Sequence, residues 1–274
     1  MRLTIRHETI YRYTSPVRYS IQYLRLTPRT EADQRVRFWQ IDAPGRMWHQ
    51  TDAFGNTVHV MSLEQPHHEL AILVTGEVET GLRPGTPIEL STALPPAAFL
   101  VPTPLTEADD AIRTLAQSTL SADARNGSSQ ASVDRLMAAI LERVTYETGS
   151  TDVYDTAAHA LAKKAGVCQD HTHIFLACCR AQGIPARYVS GYLFTGDEGH
   201  LASHAWADVW IAARGWLSFD TTHACFADER YCRLAIGRDF LDASPVRGMR
   251  RGGTGEALSV SVRVGQTYAR AEQQ

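Results

Sequence analysis

The sequence predicts an α+β protein: an antiparallel β domain, then a helical section, then a core whose cysteine-bearing helix is followed by strands. Three observations carry that expectation. Residues 3–78 are short runs rich in Val, Ile, Thr and Tyr between turn signals, helical spacing of apolar residues begins only near Thr106, and strand-like runs return after Pro185. At 274 residues and 44% apolar side chains the chain can bury more than one core. The expected division is 1–82 for an N-terminal β domain, 83–131 for a connecting and helical segment, and 132–274 for the core.

In the first domain the turn signals are Ser15-Pro16, Ala43-Pro44-Gly45 and Phe54-Gly55-Asn56. Residues 82–104 hold six of the twelve prolines, and each ring removes a backbone donor, so neither a helix nor a central strand can persist there. Thr106-x-x-Asp109 then resembles a capping box ahead of Ile112, Leu115, Ala116 and Leu120. Residues 121–131 are polar and read as a loop. Val133, Leu136, Met137, Ile140, Leu141 and Val144 share one helix face, with Ser132 as the expected N-cap.

A short helix fits residues 156–164. Residues 168–182 lack proline and glycine, carry an apolar centre and stop at Gly183-Ile184-Pro185, which predicts a buried helix. Strands are expected at 187–194, 204–211, 216–220 and 258–264, and the Gly/Arg-rich segment 247–255 reads as a solvated turn.

Composition narrows the function classes. With 27 basic against 30 acidic residues, scattered along the chain, no nucleic-acid footprint is present. Residues 1–13 alternate polar and apolar side chains where a secretory signal would be continuously apolar, and no run reaches membrane-spanning length, so no membrane partner and a cytoplasmic location are expected. The five cysteines, an odd number with two adjacent, resemble no disulfide framework and leave a thiol for chemistry.

Cys168 is the strongest candidate. On the first turn of a buried helix its sulfur sits near unpaired backbone amides and the positive end of the helix dipole, both of which favour the thiolate. Cys178 and Cys179, mid-helix, read as small buried apolar residues. A thiolate needs an imidazole to exchange its proton, and the imidazole needs a carboxylate to fix its tautomer. His204 opens a strand whose alternation puts it on the Trp206 side, leaving Ala205, Ala207 and Val209 for the core. Asp220 ends the next strand, and the short turn through Ala212 to Arg214 brings it back beside the histidine if the two pair as a hairpin.

A metal site is the rival reading, since His171, His173, His200, His204, His223, Cys225 and Cys232 offer ligands. Spacing argues against it: residues two apart diverge by about 200° on a helix of 3.6 residues per turn, and neither His-Glu-x-x-His nor paired Cys-x-x-Cys occurs. No metal and no cofactor are implied.

The order Gly-Val-Cys-Gln-Asp at 166–170, Gly-Ile-Pro-Ala-Arg-Tyr-Val-Ser-Gly-Tyr at 183–192, Ser-His-Ala-Trp at 203–206 and Trp-Leu-Ser-Phe-Asp-Thr-Thr at 216–222 resembles the bacterial transglutaminase-like superfamily. Asp52-Ala53-Phe54-Gly55-Asn56 resembles the signature of the β domain that precedes the core in one bacterial branch. Ile236-Gly237-Arg238-Asp239-Phe240 and Pro245-Val246-Arg247-Gly248 resemble that branch's C-terminal motif.

The resemblance implies a papain-like core with the cysteine helix packed on an antiparallel sheet. It implies Cys168 as nucleophile, His204 as general base and acid, and Asp220 as the group orienting His204. Gln169 and Asp170, within the same string, would shape a substrate subsite or brace the helix, bracing being expected for Asp170. Trp206 and Tyr192 are candidates for cleft walls. Family members include transglutaminases, cysteine proteases, peptide N-glycanases and inactive scaffolds. The expected partners are a peptide or protein substrate and, for amine transfer, a primary-amine acceptor. No second oxyanion donor is evident, because Ala162 stands six residues before the cysteine, where papain-type enzymes carry glutamine.

Overall fold

The computed structural model describes residues 1–88, 94–120, 130–196, 203–212 and 214–267. The expected loop at 121–131 and His200 fall largely or wholly outside these residues.

The chain opens with an unusually long strand, β1 (Arg2–Leu24), whose inward residues Leu3, Ile5, His7 and Thr9 alternate with outward ones. β2 (Gln34–Asp42), β3 (Arg46–Thr51), β4 (Thr57–Leu63) and β5 (His67–Thr80) complete the antiparallel order β2-β5-β1-β4-β3. Ser15-Pro16, expected as a turn, lies inside β1. The β1–β5 ladder shifts register between Arg12 and Val17, where Pro16 has no N–H to donate.

After the proline-rich connection, α1 (Asp110–Thr119) buries Ile112, Leu115 and Ala116 as its spacing predicts. Its N-cap is Asp109, whose side chain accepts from the Ile112 amide at 2.9 Å. Thr106 is no cap; it accepts from the Arg180 guanidinium at 2.7 Å. α2 (Gln130–Leu141) likewise begins before Ser132, which is buried and accepts from Arg135 at 2.9 Å. β6 (Thr145–Tyr146), α3 (Ala157–Lys163) and β7 (Ala165–Gly166) then lead into α4 (Cys168–Ala181). α3 falls within the helix expected at 156–164, is capped by Thr156 and ends on a left-handed Lys164.

The second sheet has the order β11-β10-β9-β8-β12, formed by β8 (Ala186–Leu193), β9 (His204–Ile211), β10 (Gly215–Asp220), β11 (Cys225–Phe226) and β12 (Tyr231–Gly237). α4 packs on one face through Ile174, Phe175 and Ala177 against Ala205, Ala207 and Phe219. The other face meets the first sheet: Tyr192, Cys232 and Leu234 share a core with Leu3, Ile5, Leu24, Leu70 and Val74. Covered on both sides, β8 and β12 are buried along their whole length.

The last two strands depart from the expected division at residue 132. After the short α5 (Phe240–Ala243), β13 (Val246–Gly252) and β14 (Glu256–Gln266) leave the core and pair antiparallel with β1. Residues 247–255, expected as a solvated turn, therefore contribute most of β13. The alternation of Val262 and Val264 is satisfied in the core of the first sheet. Sequence distance conceals this return, because edge strands of one sheet need no proximity in sequence.

Polar clasps hold the two sheets together. Asn56 is fully buried, and its carboxamide donates to the Ile236 carbonyl at 2.7 Å and accepts from the Ile236 amide at 2.9 Å. Asp52 shapes the turn that presents it, accepting from the amides of Phe54 and Asn56, with Gly55 supplying a φ of 78°. The Gln34 side chain makes the same two-sided contact with Arg233, at 2.7 and 2.8 Å. Beneath it, Asp208 is held by Arg187 at 2.9 Å and Arg233 at 2.6 Å, and Arg187 lies 4.0 Å over the Trp216 ring. Buried charges persist here because each has an opposite partner.

Candidate active site

The thiol is positioned by the turn before α4. β7 pairs in parallel with β6, so Tyr146 stands opposite Gly166. Val167 is the extended N-cap residue and Cys168 the first residue of the helix, whose N–H lies outside the intrahelical ladder. Asp170 Oδ2 accepts from the Val167 amide at 2.8 Å and from the Thr151 hydroxyl at 2.7 Å. Gly166 must be glycine for this packing, since an added Cβ would come within 2.7–2.9 Å of the Asp170 side chain. Asp170 thus braces the helix start, as the motif led us to expect. Gln169 is also structural here: its amide donates to the Val153 carbonyl at 3.1 Å and ties down the adjoining loop.

β9 and β10 form the predicted hairpin, with Trp216 opposite Trp210 and Phe219 opposite Ala207. His204 Nε2 and Asp220 Oδ2 are 2.7 Å apart. Cys168 and His204 line the same cleft, close enough for the thiol to bear on the imidazole's pKa. The three residues selected from sequence therefore meet in space. Trp206 does not wall the cleft. It is buried behind His204, near-parallel to it with ring centroids 6.1 Å apart, and its indole N–H donates to Ser218 at 2.9 Å. Tyr192 is buried too, hydrogen-bonded to His7 at 2.8 Å between the sheets.

Electrostatics follow from this arrangement. Burial pulls the His204 pKa down, but the hydrogen bonds to Asp220 and Cys168 and the negative charge of both outweigh it and hold the pKa at about 10. Burial raises the Asp220 pKa, yet its bonds to His204 and His223 and their charges bring it below the ordinary carboxylate range. Cys178 and Cys179 are pushed up by burial, in keeping with inert thiols, and all five cysteines are free.

Several participants were not selected from sequence. His223 Nδ1 lies 2.7 Å from Asp220 Oδ2, and the Tyr231 hydroxyl donates to that oxygen at 2.8 Å. Asp220 Oδ1 accepts from the amides of Thr222 and His223 at 2.9 and 3.3 Å. His223 was named from sequence only among the ligands of the rival metal site; Tyr231 arrives from a strand with no local signal. The thiol and imidazole open onto a cleft of about 380 Å³ lined also by Tyr146, Leu193, Thr195, Ser203, Thr222 and His223. Burial, followed by the charge of Cys168, raises the Tyr146 phenol pKa.

The histidines of the metal rival on α4 are committed elsewhere. His171 bridges the Val144 carbonyl at 3.1 Å and Thr222 at 3.2 Å. His173 is fully buried and accepts from the Phe240 amide at 3.1 Å, with its pKa depressed to about 3 by burial and then by Arg180.

Comparison with known proteins agrees with this architecture. The bacterial transglutaminase-like N-terminal region matches residues 3–79, and the transglutaminase-like superfamily core matches residues 113–221. An uncharacterised protein of Mycobacterium leprae is 30% identical over 279 residues, spanning 96% of this chain and 98% of that one. A Mycobacterium tuberculosis relative, also uncharacterised, is 30% identical over 280 residues, covering 90% and 87%. The protein-glutamine gamma-glutamyltransferase of Pseudomonas aeruginosa is 31% identical over 140 residues, 42% of this chain and 20% of that protein. A crystal structure of a proposed cysteine protease from Cytophaga hutchinsonii shares the fold, with a TM-score of 0.78 at 21% identity over 98% of this chain and 92% of that one. With a relative matched from end to end and both family regions in place, this chain belongs to the transglutaminase-like superfamily, with the bacterial N-terminal region ahead of its core.

Proposed function

We propose that this chain is a thiol-dependent enzyme acting on amide bonds of peptide or protein substrates, a transglutaminase-like cysteine protease or amidase. One ring carries the reading: His204 bonds Asp220 through Nε2 at 2.7 Å and shares the wall of an open cleft with the Cys168 thiol.

Each residue then has a step. The Cys168 thiolate attacks the carbonyl carbon, and the developing oxyanion meets the Cys168 N–H at the helix start. The second donor we assign is the Tyr146 hydroxyl, which shares the cleft with Cys168 and stands opposite Gly166. His204, protonated at neutral pH by virtue of a pKa of about 10, gives its Nδ1 proton to the leaving amine as the C–N bond breaks. The thioester is then attacked by an acceptor whose proton returns to Nδ1, releasing Cys168. Asp220 keeps Nε2 protonated and the ring aimed throughout.

Water as acceptor gives hydrolysis; a primary amine gives transfer. The sequence match to the Pseudomonas aeruginosa gamma-glutamyltransferase supports keeping transfer as the second reading. The deciding experiment incubates wild type and Cys168→Ala with a peptide library and a labelled primary amine. Cleavage or deamidation without label that disappears in the variant is the expected result. Cysteine-dependent label incorporation would assign the transferase instead, and equal turnover by both proteins would overturn the thiol mechanism.

A further inference from the structure

His223 has no place in the steps above, yet the fold brings it onto the carboxylate they use. Asp220 Oδ2 is 2.7 Å from His204 Nε2 and 2.7 Å from His223 Nδ1. These three ligand-capable atoms lie within 4.8 Å of one another, the one such group of histidine, cysteine and acidic side chains among the described residues. Asp220 is buried and the His204 side chain is 10% exposed, whereas the His223 side chain is 48% exposed; both histidines line the cleft, so the cluster has a solvent side. Two imidazole nitrogens and a carboxylate oxygen this close together, one of the imidazoles half exposed, form a donor set suited to a borderline divalent ion in tetrahedral coordination.

We propose that His204 Nε2, Asp220 Oδ2 and His223 Nδ1 bind one divalent ion of the zinc type, with a cleft water as fourth ligand. Ligand bonds of about 2.0–2.2 Å place neighbouring donors of a tetrahedron roughly 3.3 Å apart, so each present N···O separation must open by roughly 0.6 Å. His223 can supply most of that movement, being half exposed on the turn that follows β10. Asp220 needs no rearrangement of its backbone: Oδ1 is held by the Thr222 and His223 amides, and Oδ2 keeps the bond from the Tyr231 hydroxyl at 2.8 Å while its two histidine partners give way to the ion.

Such an ion holds the thiol centre in a blocked state, a consequence that rests on the function proposed above; the site itself does not. Each nitrogen that binds the ion gives up its proton: that on His204 Nε2 goes to solvent, and His223, with Nδ1 on the ion, keeps a single proton on Nε2. The His204 ring that remains carries its proton on Nδ1 and has no lone pair left to accept another, so it cannot serve as base when the acceptor attacks the thioester. The ion also takes the carboxylate oxygen that orients the ring.

The test uses the full chain, stripped with chelator and desalted, titrated with Zn²⁺ by isothermal calorimetry. One equivalent should bind. His223→Asn and His223→Ala should each weaken binding by at least tenfold, while Cys168→Ala should retain it, because the thiol is not a ligand. Thermal melts establish that the variants fold and give a second readout, a Zn²⁺-dependent rise in Tm present in wild type and lost in both His223 variants. Co²⁺ in place of Zn²⁺ should give d–d bands without sulfur-to-metal charge transfer. Affinity unchanged by both His223 substitutions would overturn the site. So would binding that vanishes in Cys168→Ala with a sulfur charge-transfer band in wild type, which would mark simple capture by the thiol.

Discussion

The carboxamide of Asn56 grips the peptide of Ile236 from both sides, at 2.7 and 2.9 Å, joining the first sheet to the edge strand of the second across 180 residues of sequence. The contact is fully buried, so neither group can turn to water when its partner is removed. Asn56→Ala should lower stability by about 1–3 kcal/mol for the Ile236 groups alone, and loss of the bond that Arg29 donates to Asn56 at 2.8 Å adds to it. Urea unfolding of the two proteins measures it; a change under about 0.5 kcal/mol would mean that the sheets do not depend on this clasp.

The His204–Asp220 pair has a pH signature. The folded-state pKa of His204, about 10, lies above its ordinary 6.5, so its contribution is complete below pH 6.5 and is lost as pH rises toward 10. Asp220, depressed below its ordinary 3.8, contributes above that pH and loses its contribution as pH falls through the lowered value. The difference in Tm between wild type and Asp220→Asn should therefore be largest between about pH 4 and 6.5 and shrink toward pH 10. A difference that grows with alkalinity would contradict the assignment.

Tyr146 should affect turnover more than binding. If its hydroxyl meets the oxyanion, Tyr146→Phe should lower kcat by about 10- to 100-fold with KM changed less than about threefold, a smaller loss than for a buried donor because the residue is half exposed. Steady-state kinetics on the substrate found with the peptide library would show it. A rise in KM at constant kcat would make the ring a wall of the cleft instead.

Gly191 tests the support of His204 from behind. An added Cβ would come 2.4 Å from the Trp206 ring and 2.2 Å from the Cys232 carbonyl, and Trp206 is the ring against which His204 lies. Gly191→Ala should cost about 1–3 kcal/mol through overpacking. It should also slow alkylation of Cys168 by iodoacetamide, as the displaced indole shifts the imidazole. Unchanged alkylation in a protein of lowered Tm would separate the packing from the site.

The sequence by itself determined the local elements and picked out Cys168, His204 and Asp220, which the fold brings to one cleft and its wall. Periodicity and stop signals bound α4 to within a residue, and the short turn between β9 and β10 sufficed to place Asp220 beside His204, because a hairpin is a local structure whose register follows from its connection. What it left to the tertiary structure were partners chosen by packing. Thr106 and Ser132 carry the right chemistry for caps, but burial gave each an arginine to bond, and Asp109 and Gln130 begin those helices. Strands β13 and β14 joined a sheet begun at residue 2, a pairing set by which edge was open rather than by any nearby residue. Asp220 Oδ2 drew His223 from its own turn and Tyr231 from β12, so that one oxygen serves three donors. A buried carboxylate recruits whatever donors the fold brings within reach, and that reach exists only once the chain has closed.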